Sequence, residues 1–147
     1  RSGTTQPMGR VDLAEKPILI AGASSGIGRA TAVACARVGM PVVAGARRTE
    51  RLEALVRESE AFGGKATACS MDVTNQDDCS RAVRTTVETY GSLYSVFANA
   101  GYGVERAVHQ TTEQELRDMF EVNLFGTMNV LMPLMPAGAS GRRARTR

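Results

Sequence analysis

The stretch Lys16-Pro-Ile-Leu-Ile-Ala21-Gly22-Ala-Ser-Ser-Gly26-Ile-Gly28 changes character at Gly22. Before it, residues 16–21 form a continuous apolar run, the pattern of a parallel strand buried on both faces. After it, Ile27, Ala30, Thr31, Ala34, Cys35 and Val38 recur at helical spacing and predict a helix over 25–38 with those residues as its apolar stripe. The join carries glycines in the order G-x-x-x-G-x-G. Glycine lets the backbone turn tightly and approach a pyrophosphate, and a helix N-terminus offers unpaired N–H groups at the positive end of its dipole. The spacing is not the G-x-G-x-x-G of many dinucleotide binders, and a Walker A loop is excluded because Gly-Lys-Ser/Thr is missing. Alone, it also fits a tight β–α turn with no ligand.

Working outward, short apolar runs alternate with helical ones. Gly39 stops the first helix, and Pro41 to Ala46 reads as a second strand. Thr49 is a candidate cap for a helix with Leu52, Leu55, Val56 and Phe62 on one stripe, ended by Gly63-Gly64. Lys65 to Met71 is a third strand. Thr74 or Asn75 then caps a helix bearing Ala82, Val83, Val87 and Tyr90 and ending at Gly91, and Leu93 to Ala98 is a fourth strand. Thr112-Glu-Gln-Glu115 is a capping-box pattern opening a helix that runs to about Met132, where Pro133 and Pro136 stop it. This β-α-β-α-β-α-β-α order with short connections predicts an α/β fold, a parallel sheet with helices on both faces.

The chain has 147 residues, with 18 Lys plus Arg against 15 Asp plus Glu, for a formal charge of +3. Arg142, Arg143, Arg145 and Arg147 supply the excess, and residues 1–141 carry a net −1. The basic character belongs to a tail, so no nucleic-acid partner is expected: a binding face needs basic residues spread over folded structure. Cys35, Cys69 and Cys79 are odd in number and lack the CxxC spacing of a zinc or redox site, which suits a reducing compartment and small buried hydrophobes. His109 is the lone histidine, in a polar stretch, and reads as a surface residue, so no metal site is expected. No segment reaches ~18 uninterrupted apolar residues, so no membrane span or membrane partner is expected, and the localisation expected is cytoplasmic. Residues 1–15 read as a disordered leader or remnant, with Met8 a candidate natural start.

The motifs, taken in order, resemble the short-chain dehydrogenase/reductase family of the classical type over about Lys16 to Arg142. Ala21-Gly22-Ala-Ser24-Ser25-Gly26-Ile27-Gly28 is similar to the family's TGxxxGxG, with Ala21 where Thr is usual. Asp72-Val73 resembles the pair that holds the adenine ring in the family. Asn99-Ala100-Gly101 is similar to its NNAG signature, with Ala98 replacing the first Asn. Asn123, within Phe120-Glu-Val-Asn-Leu-Phe-Gly126, matches the helix Asn that the family uses in its proton relay, where it bonds an ordered water linked to a catalytic lysine. It falls on the stripe of Leu116, Met119, Phe120 and Leu124, where a buried amide needs partners. A core asparagine satisfied by backbone has the same sequence signature, and the place of Asn123 within the motif set favours the catalytic reading.

The residues after the second strand bear on the cofactor. An NAD-selective site places a carboxylate on the ribose 2′-hydroxyl, whereas an NADP site places Arg on the 2′-phosphate. Here Val42 to Ala46 runs into Arg47-Arg48 with no acid, and Ser24 and Ser25 add hydroxyl donors nearby, so NADP(H) is expected over NAD(H). The bland reading is that both arginines open a solvated helix with Glu50 and Glu53.

The resemblance implies an oxidoreductase passing hydride between nicotinamide and a carbonyl or alcohol, and it implies a Ser and a Tyr-x-x-x-Lys. Tyrosines stand only at 90, 94 and 102 and lysines only at 16 and 65. The tail after Arg142 matches nothing in the pattern, and a premature stop or frame change just upstream is the expected cause. The fold expected is therefore a Rossmann-type doubly wound sheet truncated after about four strands in the order 3-2-1-4. It comprises an incomplete NADP-binding domain at 16–136 and an Arg-rich tail at 137–147. Leu93–Ala98 becomes an edge strand, and apolar helix faces around Phe125 to Met135 are left exposed. This chain alone is expected to be inactive. The alternative is a non-catalytic nucleotide-binding or oligomerisation module, and relatives usually associate through the helix containing Asn123, so a homo-oligomer is a candidate assembly.

Overall fold

The computed structural model describes residues 11–135. Residues 1–10 of the expected leader and the Arg-rich tail at 137–147 lie outside the described residues. Four strands, β1 (Ile18–Ala21), β2 (Val42–Ala46), β3 (Ala66–Ser70) and β4 (Ser95–Ala98), form one parallel sheet in the order β3-β2-β1-β4. The register sets Ile18 opposite both Val42 and Ser95, and Ala21 opposite both Gly45 and Ala98, so the carboxyl ends of the central strands finish level. The helices are α1 (Gly26–Arg37), α2 (Thr49–Ala61), α3 (Gln76–Tyr90), α4 (Glu113–Phe120) and α5 (Gly126–Leu131). This is the expected α/β architecture with the expected strand order.

Strand alternation divides the core into two layers. Ile18, Ile20, Val42 and Ala44 pack with Ala32 and Ala36 of α1 and Leu52 and Leu55 of α2. Leu19, Ala21 and Val43 point the other way, into Cys79 and Ala82 of α3 and Val130 of α5. β1 and β2 are buried on both faces, as their uninterrupted apolar runs require, whereas the residues of the edge strand β4 are half-buried.

Several local expectations are corrected. Residues 11–15 are not a loose leader: Glu15 N–H donates to the Gly39 carbonyl at 2.9 Å, Lys65 pairs with the Glu15 carboxylate at 2.9 Å, and Leu13 packs on the core. Most of the stripe expected for α1 faces outward, with Ile27 72% and Val38 56% exposed, and of its members Cys35 packs on the core. Gly28, Ala32 and Ala36 face the sheet instead, because small residues bring the helix axis close to the strands. Arg48, not Thr49, is the N-cap residue of α2, and of the two candidates at α3 it is Asn75 that caps, accepting from the Asp77 and Asp78 N–H groups. The capping box at Thr112 and Glu115 forms as expected.

The helix from 113 is not uniform: a π-helical turn at Glu121–Phe125 separates α4 from α5. Its expected inner stripe is not buried. Leu116, Phe120 and Leu124 are exposed, since no described element packs closely over that face. Phe125, Met128, Met132 and Met135 are exposed as expected.

Ser59 of α2 is fully buried, and its hydroxyl has no hydrogen-bond partner. A buried hydroxyl without a partner costs about 1–3 kcal/mol by mutational measures. Ser59→Ala should therefore raise stability by about 1 kcal/mol in urea denaturation. A lower midpoint would contradict an unsatisfied hydroxyl there.

Candidate cofactor site

The carboxyl ends of β1, β2, β3 and β4 open onto one cleft of about 810 Å³. Gly22, Ser24, Ser25, Gly26 and Ile27 line it from the first turn, Arg47 and Arg48 from the end of β2, Asp72 and Val73 from the end of β3, and Asn99, Ala100 and Gly101 from the end of β4. Gly28 is buried and does not line the cleft. Ala46, Met71 and Tyr102, outside the motifs, also line the cleft, as does Val122 of the Phe120–Gly126 stretch. The one available signal is that the first three adjoin motif residues at strand ends.

The first turn is built on close approach. Gly22 has φ +83°, and a Cβ on it would meet the Ala100 backbone at 2.7 Å. A Cβ on Gly28 would strike the Gly22 carbonyl and stand 2.6 Å from Asn99 Nδ2. Asn99 Nδ2 in turn donates to the Gly22 carbonyl at 3.4 Å, tying the end of β4 to the turn. α1 begins with no acidic residue in its first turn and no side-chain cap from Ser25, so its N-terminal N–H groups face the cleft without a carboxylate competitor.

The Ser25 hydroxyl turns to Arg48 rather than to the helix N-terminus. One guanidinium nitrogen of Arg48 donates to both Ser24 Oγ and Ser25 Oγ, each at 3.0 Å. Hydroxyls that accept from a cation keep their own protons free to donate outward. The cluster therefore offers hydrogen-bond donors around a positive charge, and the arrangement matches an anion. Arg47 takes a different place. Its guanidinium stands 4.0 Å from the Asp72 carboxylate and is largely exposed. Asp72 Oδ1 accepts from the Thr74 N–H at 2.9 Å and from the Thr74 hydroxyl at 2.8 Å.

Asn123 sits inside the π-helical turn and does not line the cleft. Its amide donates to the Tyr102 carbonyl at 2.8 Å and accepts the Tyr102 N–H at 2.9 Å. The side chain thus clasps the backbone just after Asn99–Gly101. This is the backbone-satisfied arrangement, in an exposed setting rather than on a buried stripe. A π turn leaves helix geometry irregular where function often needs it, and here it sets Asn123 toward Tyr102 while the Asn123 carbonyl accepts the Thr127 hydroxyl at 2.8 Å.

Two electrostatic features border the site. Asp78 lies below the usual carboxylate range, first because it accepts the Asp72 N–H and further through Arg81, 2.8 Å away. A depressed folded-state pKa contributes stability above the ordinary value of 3.8 that is lost as pH falls through the depressed one. Asp78→Asn should accordingly destabilise at neutral pH and converge on the parent in urea titrations as the pH falls through that depressed value. A difference that stays constant with pH would contradict this role. Burial raises all three thiols, with Cys79 pushed up to about 11, so none is a thiolate at neutral pH. Cys69 and Cys79 are buried and Cys35 half-buried, and His109 is exposed in the short 3₁₀ turn Val108–Gln110. Among the described residues no helix is long and apolar enough to cross a membrane.

A parallel sheet in this order, with a glycine turn and an anion-matched cluster at its carboxyl edge, defines a Rossmann-like α/β fold. The comparisons specify the family: the chain matches the short chain dehydrogenase model over residues 16–145 and belongs to that family. The match continues three residues past Arg142, where the resemblance was expected to end. An A-factor type gamma-butyrolactone 1′-reductase (1S-forming) of Streptomyces virginiae is 39% identical over 139 residues, covering 91% of this chain and 54% of the relative. An uncharacterised oxidoreductase of Listeria innocua is 37% identical over 83% of this chain and 49% of its own length. Among solved structures, an alcohol dehydrogenase from the archaeon Thermococcus sibiricus, complexed with 5-hydroxy-NADP, is 34% identical with a TM-score of 0.75. That comparison covers 80% of this chain and 51% of the enzyme. The chain spans about half the length of the curated relatives it matches.

Proposed function

We propose that this chain is the cofactor-binding portion of an NADP-dependent carbonyl or alcohol oxidoreductase. The observation that carries the preference for NADP(H) over NAD(H) is the Arg48 guanidinium held against Ser24 and Ser25, with no carboxylate within ion-pair distance of it among the described residues. A 2′-phosphate needs this donor set, and a 2′-hydroxyl needs a carboxylate in its place. The Thermococcus sibiricus relative's complex with an NADP derivative supports the same reading.

The residues fit the group. Gly22, Gly26 and Gly28 permit close backbone approach, and the α1 N-terminus is matched to a pyrophosphate. Arg48, Ser24 and Ser25 would hold the 2′-phosphate, with Arg47 beside them. Asp72 and Val73 would border the adenosine, and Asn99–Gly101 would continue the wall toward the nicotinamide. The bound cofactor supplies hydride transfer. Asn123 contributes by clasping the Tyr102 backbone, which holds the Asn99–Gly101 wall in place.

Proton transfer to a carbonyl oxygen needs a positioned acid. Residues 1–147 contain no tyrosine followed four residues later by lysine. The 147-residue chain should bind NADPH saturably in a fluorescence titration and consume none of it in the presence of a carbonyl substrate. Absence of binding would contradict the cofactor reading, and turnover would contradict the missing proton donor.

A further inference from the structure

The turn that leads from β3 into α3 is held from two sides. On the α3 side, the Asp72 N–H donates to the Asp78 carboxylate at 3.0 Å and the Asn75 N–H donates to the Asp72 carbonyl at 3.0 Å. On the other side stands α5. Asn129, only 9% exposed, donates from Nδ2 to the Val73 carbonyl at 3.0 Å. On the same helix Gly126 approaches so closely that a Cβ there would lie 2.6 Å from Val73 Cγ2. Val73 and Asp72 line the cleft, whereas Asn129 and Gly126 do not.

We infer, resting on the nucleotide-binding reading above, that Asn129 is a positioning residue for the adenosine end of the cleft. Its amide sets the direction of the Val73 carbonyl and with it the pose of the Asp72–Val73 wall. Gly126 sets how deeply the Val73 side chain stands into the cleft. The pair joins the helix that follows Asn123 to the opposite end of the site, and the α1 N-terminus takes no part in it.

NMR titration of the 147-residue chain with two probes tests this role. 5′-AMP reads the adenosine end through the Asp72 and Val73 amides, and inorganic pyrophosphate reads the α1 N-terminus through Gly26 to Gly28. In Asn129→Leu, the lost hydrogen bond to a buried carbonyl should weaken 5′-AMP about tenfold and leave pyrophosphate within about twofold. Gly126→Ala, which displaces Val73 without removing the amide, should show the same selectivity and carries the test if Asn129→Leu does not fold. Equal weakening of both probes would mean a purely structural role and overturn the inference. So would unchanged 5′-AMP affinity in either folded variant. If the parent chain binds neither probe, the nucleotide-binding reading fails, and the positioning role fails with it.

Discussion

Gly28→Ala should be the most damaging single substitution in the chain, lowering stability by about 3 kcal/mol in urea denaturation and abolishing nucleotide binding. The added methyl has nowhere to go. It would strike the Gly22 carbonyl and come within 2.6 Å of Asn99 Nδ2, and one of those contacts is backbone. α1 would have to lift from the sheet at the point where its N-terminus enters the cleft, taking Ala32 and Ala36 out of the β1–β2 layer. Overpacking of a tight core typically costs about 1–3 kcal/mol, and the upper end applies where rigid backbone cannot yield. Folding and binding should therefore fail together. An unchanged urea midpoint with intact binding would mean that the turn relaxes freely, and the close-approach account would be wrong.

Arg48→Ala should weaken 2′,5′-ADP about 10- to 150-fold while leaving 5′-AMP nearly unchanged, because a charge-assisted hydrogen bond contributes about 1.5–3 kcal/mol. Arg47→Ala should do less. Arg47 is largely exposed and stands beside Asp72, whereas Arg48 is already oriented by two hydroxyls at 3.0 Å. Pre-organisation is what makes a fork of donors effective, since little side-chain freedom remains to be lost on binding. Calorimetry on the two variants separates them. An effect larger at Arg47 than at Arg48 would move the 2′-phosphate subsite across the cleft toward Asp72.

Much of this fold is readable from hydrophobic patterning because the central strands are buried on both faces and so write uninterrupted apolar runs. The alternation yields a parallel sheet with helices on both faces, and its order 3-2-1-4 is what the family resemblance implies. α1 is less transparent. Ile27, Ala30, Ala34 and Val38 of its expected stripe face solvent, and its buried contact with the sheet runs through Gly28, Ala32 and Ala36, because closeness of approach matters more there than hydrophobicity. Nothing in Phe120 to Gly126 signals the π-helical turn, which directly precedes the residues, Gly126 and Asn129, that seat α5 against Val73.

The candidate site divides in the same way. The glycines, Arg47 and Arg48 are visible because their chemistry is distinctive at strand ends, whereas Asp72 and the Asn99–Gly101 segment are visible through the family resemblance. Met71, Ala46 and Val122 are ordinary apolar residues whose place in the cleft depends on the sheet. The pairing of Asn123 with the Tyr102 backbone depends on two segments meeting across 21 residues, which no local spacing encodes. Sequence also does not rank Arg47 and Arg48, and the two serines do.

The most direct measurement is the affinity of the 147-residue chain for NADPH beside NADH under identical salt. Two or more charge-assisted donors on the 2′-phosphate predict that NADPH binds about 100-fold tighter. Equal affinities, or tighter binding of NADH, would contradict the assignment of Ser24, Ser25 and Arg48 to that phosphate.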